Sequence, residues 1–430
     1  MKLVWFTPFN TRSAIGRYSQ LVTRELARDH EVEIWTFCKG SLLDTSVPVR
    51  TFESSDSLPI SELRGADIRV YQLGNYWPFH GEILQQSFRD PGIVVLHDYS
   101  LHHLIALYFL EHLRDTEAYI SMLRGGYGEP AAAEARRALQ GYRSPLWETA
   151  EAVSYPTLSE AVGSALGVIA HSKYVMTAVR QTYSGPQLVL PLPYRLADTE
   201  SQDLVDVPDD TLLIVTVGHV NPNKQVKAAI RALGLVSPLL RDRVFYAVLG
   251  PIEDWHKAEL IREAEAAGVI RHIRFEVYVD DAKLRSFLLR ADLCINLRSP
   301  NFEGASASAV EQMLAGKAII ANNTGAFAEF PSDVIRTVDG PAALAASLEL
   351  LLSNDDLRMK MGTRAREYAE KTFRADTYAK ELGRFAQQVL HQAPLTMLEN
   401  SLKNRFAEWG LQPNNPWAKR IHTQAHQLLT

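Results

Sequence analysis

The run Gly92-Ile93-Val94-Val95-Leu96 contains no polar side chain. It restricts the fold more than any other feature of the chain. A strand with one wet face alternates apolar and polar residues, whereas an unbroken β-branched run must be buried on both faces. That is the position of an inner strand in a parallel sheet with helices on each side. The surrounding pattern agrees. Short β-forming runs at Leu3–Phe9, Val32–Phe37, Ile68–Leu73, Ile93–His97, Val168–His171 and Leu188–Leu192 alternate with helix-periodic segments such as Tyr18–Arg28. Strands alternating with helices imply parallel βαβ units.

The alternation stops between Leu101 and Ala165. The pattern there is helical, most strongly over Ala131–Leu139, with a break at Gly125-Gly-Tyr-Gly-Glu-Pro130. This reads as a helical insertion. Beside strand C-termini it serves either to shape a substrate pocket or only to pack. The acidic, polar stretch Ala197–Asp210 reads as a linker. Alternation then resumes, with strands expected at Leu212–Val217, Val244–Leu249, Ile273–Val279, Leu293–Leu297, Lys317–Ala321 and Val334–Val338. Helices are expected at Lys224–Leu233, His256–Ala267, Asp355–Phe373 and Tyr378–Gln392, with the pattern weakening beyond Pro394. The expected class is α/β: two Rossmann-like, doubly wound parallel-sheet domains facing each other across a cleft. They would span 1–200, with the insertion near 101–165, and 201–375, with helices over 376–430 packing back on the first. A chain of 430 residues suits two such cores.

Composition narrows the function classes. A formal net charge of -5 does not suit a general nucleic-acid binder, which neutralises phosphates with clustered Lys and Arg. The two cysteines, Cys38 and Cys294, fall in separate predicted strands, so neither a disulfide nor a cysteine metal site is expected. No apolar run reaches 18 residues and Met1–Asn10 is no secretory signal, so a cytoplasmic protein is expected. Trp409, Trp417, Lys419 and Arg420 in the tail Glu399–Thr430 suit weak peripheral contact with the inner face of a membrane. They suit better a terminal helix packing back on the first domain.

Ligands of open parallel sheets bind beyond strand C-termini, so the strand-end loops hold the candidate chemistry. After the first strand, Thr7–Tyr18 is a small-residue loop in which Gly16 lets a phosphate approach helix-end amides. After the fourth comes His97-Asp98-Tyr99, with His102 and His103 on the next helix. In the second domain, Gly218-His219-Val220-Asn221-Pro222-Asn223-Lys224 places a lysine where a helix opens, a position that favours an anion in the same place. Farther on, Arg298 and Glu303 lie in a loop, Gly304-Ala305-Ser306 marks a helix start with amides available to phosphate, and Glu311 follows in an otherwise small, apolar helix.

The ordered set of these segments resembles retaining GT-B glycosyltransferases, most of all the large family four (group 1). Glu303-Gly304 through Glu311, followed by Ala315-Gly316-Lys317, is similar to that family's Glu–seven residues–Glu signature. Gly218 to Lys224 resembles its glycine–basic–lysine segment, and His97-Asp98 and Ile169-Ala-His-Ser172 resemble first-domain segments. The resemblance covers about residues 1–390. It implies that Lys224 binds the donor diphosphate and stabilises the leaving group, Glu303 contacts donor-sugar hydroxyls, and Glu311 holds the nucleotide ribose. It further implies that His97 meets the transferred sugar and that Gly16 lies near the diphosphate. The family carries Arg where this chain has His219, so a protonated His219, or Arg298, would supply the second phosphate contact. A nucleotide-sugar donor, a glycan or lipid-linked glycan acceptor and retention of configuration are implied, in polysaccharide assembly. No metal or other cofactor is expected, and the sequence contains no Asp-x-Asp. Other readings are a sugar-nucleotide epimerase or phosphorylase of the same fold, an inactive binding protein, and a nicotinamide dehydrogenase, which the missing G-x-G-x-x-G disfavours.

Overall fold

The computed structural model describes residues 1–37, 40–58, 60–196, 205–208, 210–408 and 421. Cys38, most of the linker reading and the tail residues Trp409, Trp417, Lys419 and Arg420 lie outside the described residues. The chain divides into two compact units. The first comprises Met1–Pro191, Phe302–Ala305 and the segment from Ala375 onward; the second comprises Leu192–Asn301 and Ser306–Arg374.

The first unit is built on a seven-stranded sheet. Its strands are β1 (Lys2–Phe6), β2 (Glu31–Thr36), β3 (Val49–Thr51), β4 (Ile68–Leu73), β5 (Ile93–Leu96), β6 (Gly167–Ala170) and β7 (Gln187–Val189). They lie in the order β3-β2-β1-β4-β5-β6-β7, all parallel. β5 is buried along its whole length, as its apolar run requires. Side chains of one parity, Val4, Phe6, Tyr71, Leu73, Val94, Leu96, Val168 and Ala170, point into one helix-covered core. The helix Ala375–Glu408 also belongs to this unit. Val389 and Phe385 come so close to Gly167 that a Cβ there would lie 2.6 Å from Val389 Cγ2. This helix runs through Pro394, where the sequence pattern fades.

Residues 101–165 leave the alternating pattern, as read. Helices His102–Leu107, Thr116–Tyr127 and Glu129–Leu139 enclose a small core of their own around Tyr119, Leu123, Ala131, Ala135 and Leu146. The predicted break falls at Gly128, whose φ of +84° ends one helix and begins the next.

The second unit is a six-stranded parallel sheet: β8 (Leu212–Val217), β9 (Val244–Leu249), β10 (Ile273–Glu276), β11 (Leu293–Asn296), β12 (Ala318–Asn322) and β13 (Arg336–Val338). Its order, β10-β9-β8-β11-β12-β13, repeats the winding of the first sheet. Cores lie on both faces, one around Ile214, Val248, Ile295 and Ile320, the other around Val215, Ala247, Cys294 and Ile319. In each sheet the winding reverses beside the first strand, between β1 and β4 and between β8 and β11. Loops leaving those strand ends are where such sheets hold ligands.

Several predicted strands run too long. β1 stops at Phe6, with Pro8 following, and β10 stops at Glu276, ahead of the helix Asp281–Arg290 that Asp280 caps. The helix expected over Lys224–Leu233 begins at Val226 instead.

Candidate active site

In the first unit the loop after β1 is held by side chains. Trp5 Nε1 donates to Ser19 Oγ at 2.9 Å, and Ser19 Oγ pairs with Thr7 Oγ1 at 2.7 Å. Ser13 caps the helix Ala14–Leu26 by accepting from the Gly16 N–H at 3.0 Å. A Cβ on Gly16 would lie 2.6 Å from Pro8 O. Glycine stands here because the loop folds tightly over the helix start, and its amide is engaged by the cap. Gly16 thus has a packing role in this loop.

The ends of β4, β5 and β6 bring polar rings together. His97 and His171 centroids are 4.8 Å apart, and Tyr18 packs edge-on against both, at 4.9 and 5.5 Å. Tyr18 OH donates to Tyr378 OH at 2.7 Å. Gln72 Oε1 meets His97 Nε2 at 2.9 Å, and Gln72 O meets His80 Nδ1 at 2.9 Å. Burial pushes His97 well below the usual imidazole range, helped by His171 and His80; burial likewise lowers His80 and His171 to about 4. These imidazoles are neutral at pH 7.

Asp98 joins the loops. Its Oδ2 accepts from the Asn75 N–H at 2.7 Å, and its backbone forms an antiparallel bridge with Glu303. Burial lifts the Asp98 carboxyl to about 7; the Asn75 amide opposes the rise and Glu303 adds to it. Phe302–Ala305 is bound into this unit by backbone: Tyr99 N–H donates to Phe302 O at 2.8 Å, Gly304 N–H to His97 O at 3.0 Å, and Ser172 Oγ to Gly304 O at 2.7 Å. A Cβ on Gly304 would lie 2.7 Å from His97 O. The Gly304 amide is thus engaged by His97 O, and Ala305 falls in the same unit. His102 bonds Tyr119 OH at 2.7 Å and His103 bonds Asn75 O at 3.0 Å. Among the described residues no three His, Cys, Asp or Glu side chains form a group that could hold a metal ion.

In the second unit Gly218, with φ +113°, ends β8. A Cβ there would sit 3.1 Å from Lys224 Nζ, so the bare glycine leaves room for the ammonium. Lys224 is 9% exposed and closes the short turn Pro222–Lys224; left-handed Gln225 (φ +53°) separates it from the helix Val226–Gly234. It stands before the helix, not in its first turn, which corrects the dipole argument for its placement. Asn223 O accepts from the Ser299 N–H at 2.8 Å, tying the β8 loop to the β11 loop across the switch point. His219 is exposed in the same loop.

Arg298 is 1% exposed. Its Nη1 donates to Leu297 O at 2.7 Å and its Nη2 to Ser308 Oγ at 3.4 Å, while its N–H donates to Asn322 Oδ1 at 2.6 Å. It braces the β11 turn from inside. Ser306 caps the helix Ala307–Leu314 by accepting from Ala309 N–H at 3.3 Å. Glu311 lies on that helix, 9% exposed, and accepts from Tyr194 OH at 3.0 Å. The structure therefore groups His97 and Glu303 in the first unit, and Gly218, His219, Lys224, Arg298, Ser306 and Glu311 in the second. Sequence reasoning missed Gln72 and Tyr194, whose partners are distant in the chain.

Two doubly wound sheets of this order form a GT-B glycosyltransferase fold, and solved structures share it. Sucrose-phosphate synthase from Thermosynechococcus elongatus is 13% identical, with a TM-score of 0.63 over 90% of this chain and 99% of that one. HepE from Anabaena, solved in complex with UDP and glucose, is 16% identical, with a TM-score of 0.59 over 90% and 100%. WaaG, a glycosyltransferase involved in lipopolysaccharide biosynthesis, is 16% identical, with a TM-score of 0.55 over 89% and 99%. No curated protein matches the sequence. Residues 198–368 match the family model described as Glycosyl transferases group 1. That match falls within the second unit apart from Phe302–Ala305 and agrees with the resemblance drawn from the motifs there.

Proposed function

We propose that the protein transfers a sugar from a nucleoside-diphosphate sugar to a hydroxyl of a glycan or lipid-linked glycan, with retention of anomeric configuration. The carrying observation is the buried Lys224 ammonium over Gly218, at the switch point of the group 1 domain. A diphosphate leaving group develops charge as the bond from sugar C1 to phosphate oxygen breaks, and a fixed cation in a dry site stabilises that charge. The acceptor oxygen bonds C1 on the same face, and its proton passes to the departing phosphate oxygen. Glu311 holds the ribose and Glu303 the donor-sugar hydroxyls. His97, neutral by burial, takes part by hydrogen bonding to the sugar and not by charge. His219 and the Ser306 helix start supply further diphosphate contacts, without a metal. That HepE was solved with UDP and glucose supports a nucleotide-sugar donor. Peripheral membrane association belongs to the same reading, since the acceptor is lipid-linked in one version of it. Among the described residues no helix is long and apolar enough to cross a membrane.

Thermal unfolding with GDP, UDP, ADP and dTDP, with and without EDTA, tests the donor site. A nucleotide at a hundred times its dissociation constant adds about 2.7 kcal/mol, a shift of a few degrees. Stabilisation by one nucleotide, insensitive to EDTA and lost in Glu311→Ala, is expected. Indifference to all four overturns the reading.

A further inference from the structure

Glu311 poses a problem of burial. A carboxylate at 9% exposure, on a helix beside Ala309, Val310 and Met313, must find donors. One comes from outside the recognised motifs. Tyr194 enters the second unit just after Leu192-Pro193, and its backbone N–H donates to Phe373 O at 3.1 Å. Its ring packs against the core that contains Val310 and Met313. Its hydroxyl donates to Glu311 Oε1 at 3.0 Å. A phenol with two torsions, anchored at backbone and ring, thereby fixes a carboxylate that turns about three.

We infer that Tyr194 is the positioning residue for Glu311 and that this contact sets the preference for a ribonucleotide over its 2′-deoxy counterpart. The inference rests on the reading of Glu311 as the ribose-binding residue. A carboxylate recognises a vicinal diol by accepting from both hydroxyls, which requires its plane to be held. Fixed by Tyr194, Glu311 meets the 2′- and 3′-hydroxyls together, and a nucleotide lacking the 2′-hydroxyl leaves a buried acceptor short of a donor. Sites built to pair a hydroxyl reject analogues lacking it for this reason. Without the phenol, the carboxylate loses that restraint on its plane, and the penalty shrinks.

The test is isothermal titration of UDP, GDP and ADP, and of the 2′-deoxy form of each, into wild type, Tyr194→Phe and Glu311→Gln. Wild type is expected to bind one ribonucleotide about tenfold tighter than its deoxy form. Tyr194→Phe should lower that ratio to roughly threefold or less while its ligand-free unfolding temperature stays close to wild type. Glu311→Gln should bring the ratio near one. A wild-type ratio in Tyr194→Phe overturns the positioning role and leaves the donor site standing. A ratio near one in wild type, or unchanged in Glu311→Gln, overturns the ribose reading and this inference with it. Wild type that binds none of the nucleotides overturns the donor site altogether.

Discussion

The loop after β1 and the loop after β8 occupy the same place in the two sheets, and each carries a glycine that reads as a ligand contact. Gly16 is filled in by its own fold: Pro8 O lies where a Cβ would go, and Ser13 takes its amide. Gly218 instead leaves a space, and the Lys224 ammonium fills it. The same contrast runs through the other strand ends. Those of the first unit gather imidazoles and a carboxyl held in their neutral forms by burial. Those of the second carry Lys224 and Glu311. Equivalent topology therefore fixes where a site can be, while the local packing decides whether a glycine there meets a neighbouring backbone or a lysine side chain.

Acid should separate the two regions most. His80, His102 and His171 have pKa values lowered from 6.5 to about 4, so the folded form resists a proton that the unfolded chain accepts. Their contribution is complete above pH 6.5 and is lost as pH falls toward 4, on the order of 3 kcal/mol for each. Asp98 opposes them: its raised pKa gives stability present below about 3.8 that fades as pH rises through about 7. Three histidines outweigh one carboxyl, so calorimetry from pH 7 to 4.5 should show the first unit weakening; an unfolding temperature flat over that range would break the contrast. Next in size is Lys224→Ala, expected to slow transfer about 10²- to 10³-fold, with an unfolding temperature near wild type. A variant that keeps its rate would remove Lys224 from the chemistry.

Gly16→Ala should destabilise by about 1–3 kcal/mol through overpacking against Pro8 O, while nucleotide affinity in the second unit holds. Gly218→Ala should reverse that pattern, weakening nucleotide affinity first, because its methyl displaces the Lys224 ammonium from a backbone of φ +113°. If both glycines behave alike in melting and titration, the distinction between the loops fails. The smallest effect is expected from Ser306→Ala. Loss of this helix cap should remove about 1 kcal/mol, read by denaturant unfolding.

Much of this was legible in the sequence because parallel sheets buried on both faces write themselves as apolar runs: β5 and β8 are buried throughout. β3 was not legible, since Val49-Arg50-Thr51 is three residues long and largely exposed. Lys224 was found but misplaced by one element, because a left-handed Gln225 has no sequence marker. The burial of Arg298 was not legible, because an arginine in a loop ordinarily faces water, and only the fold reveals Leu297 O and Ser308 Oγ among its partners. Tyr194 lay beyond any local pattern: its partner is 117 positions away.

The helix Ala375–Glu408 supplies Leu382, Phe385, Ala386 and Val389 to the first unit, all essentially buried. A ribosome makes it after both sheets. Throughout synthesis of the second unit, the first must wait with Gly167 and its neighbours uncovered by this helix. The chain thus completes its first unit only after making its second, so a stop just before Ala375 keeps the second unit's residues and leaves the first without its covering helix.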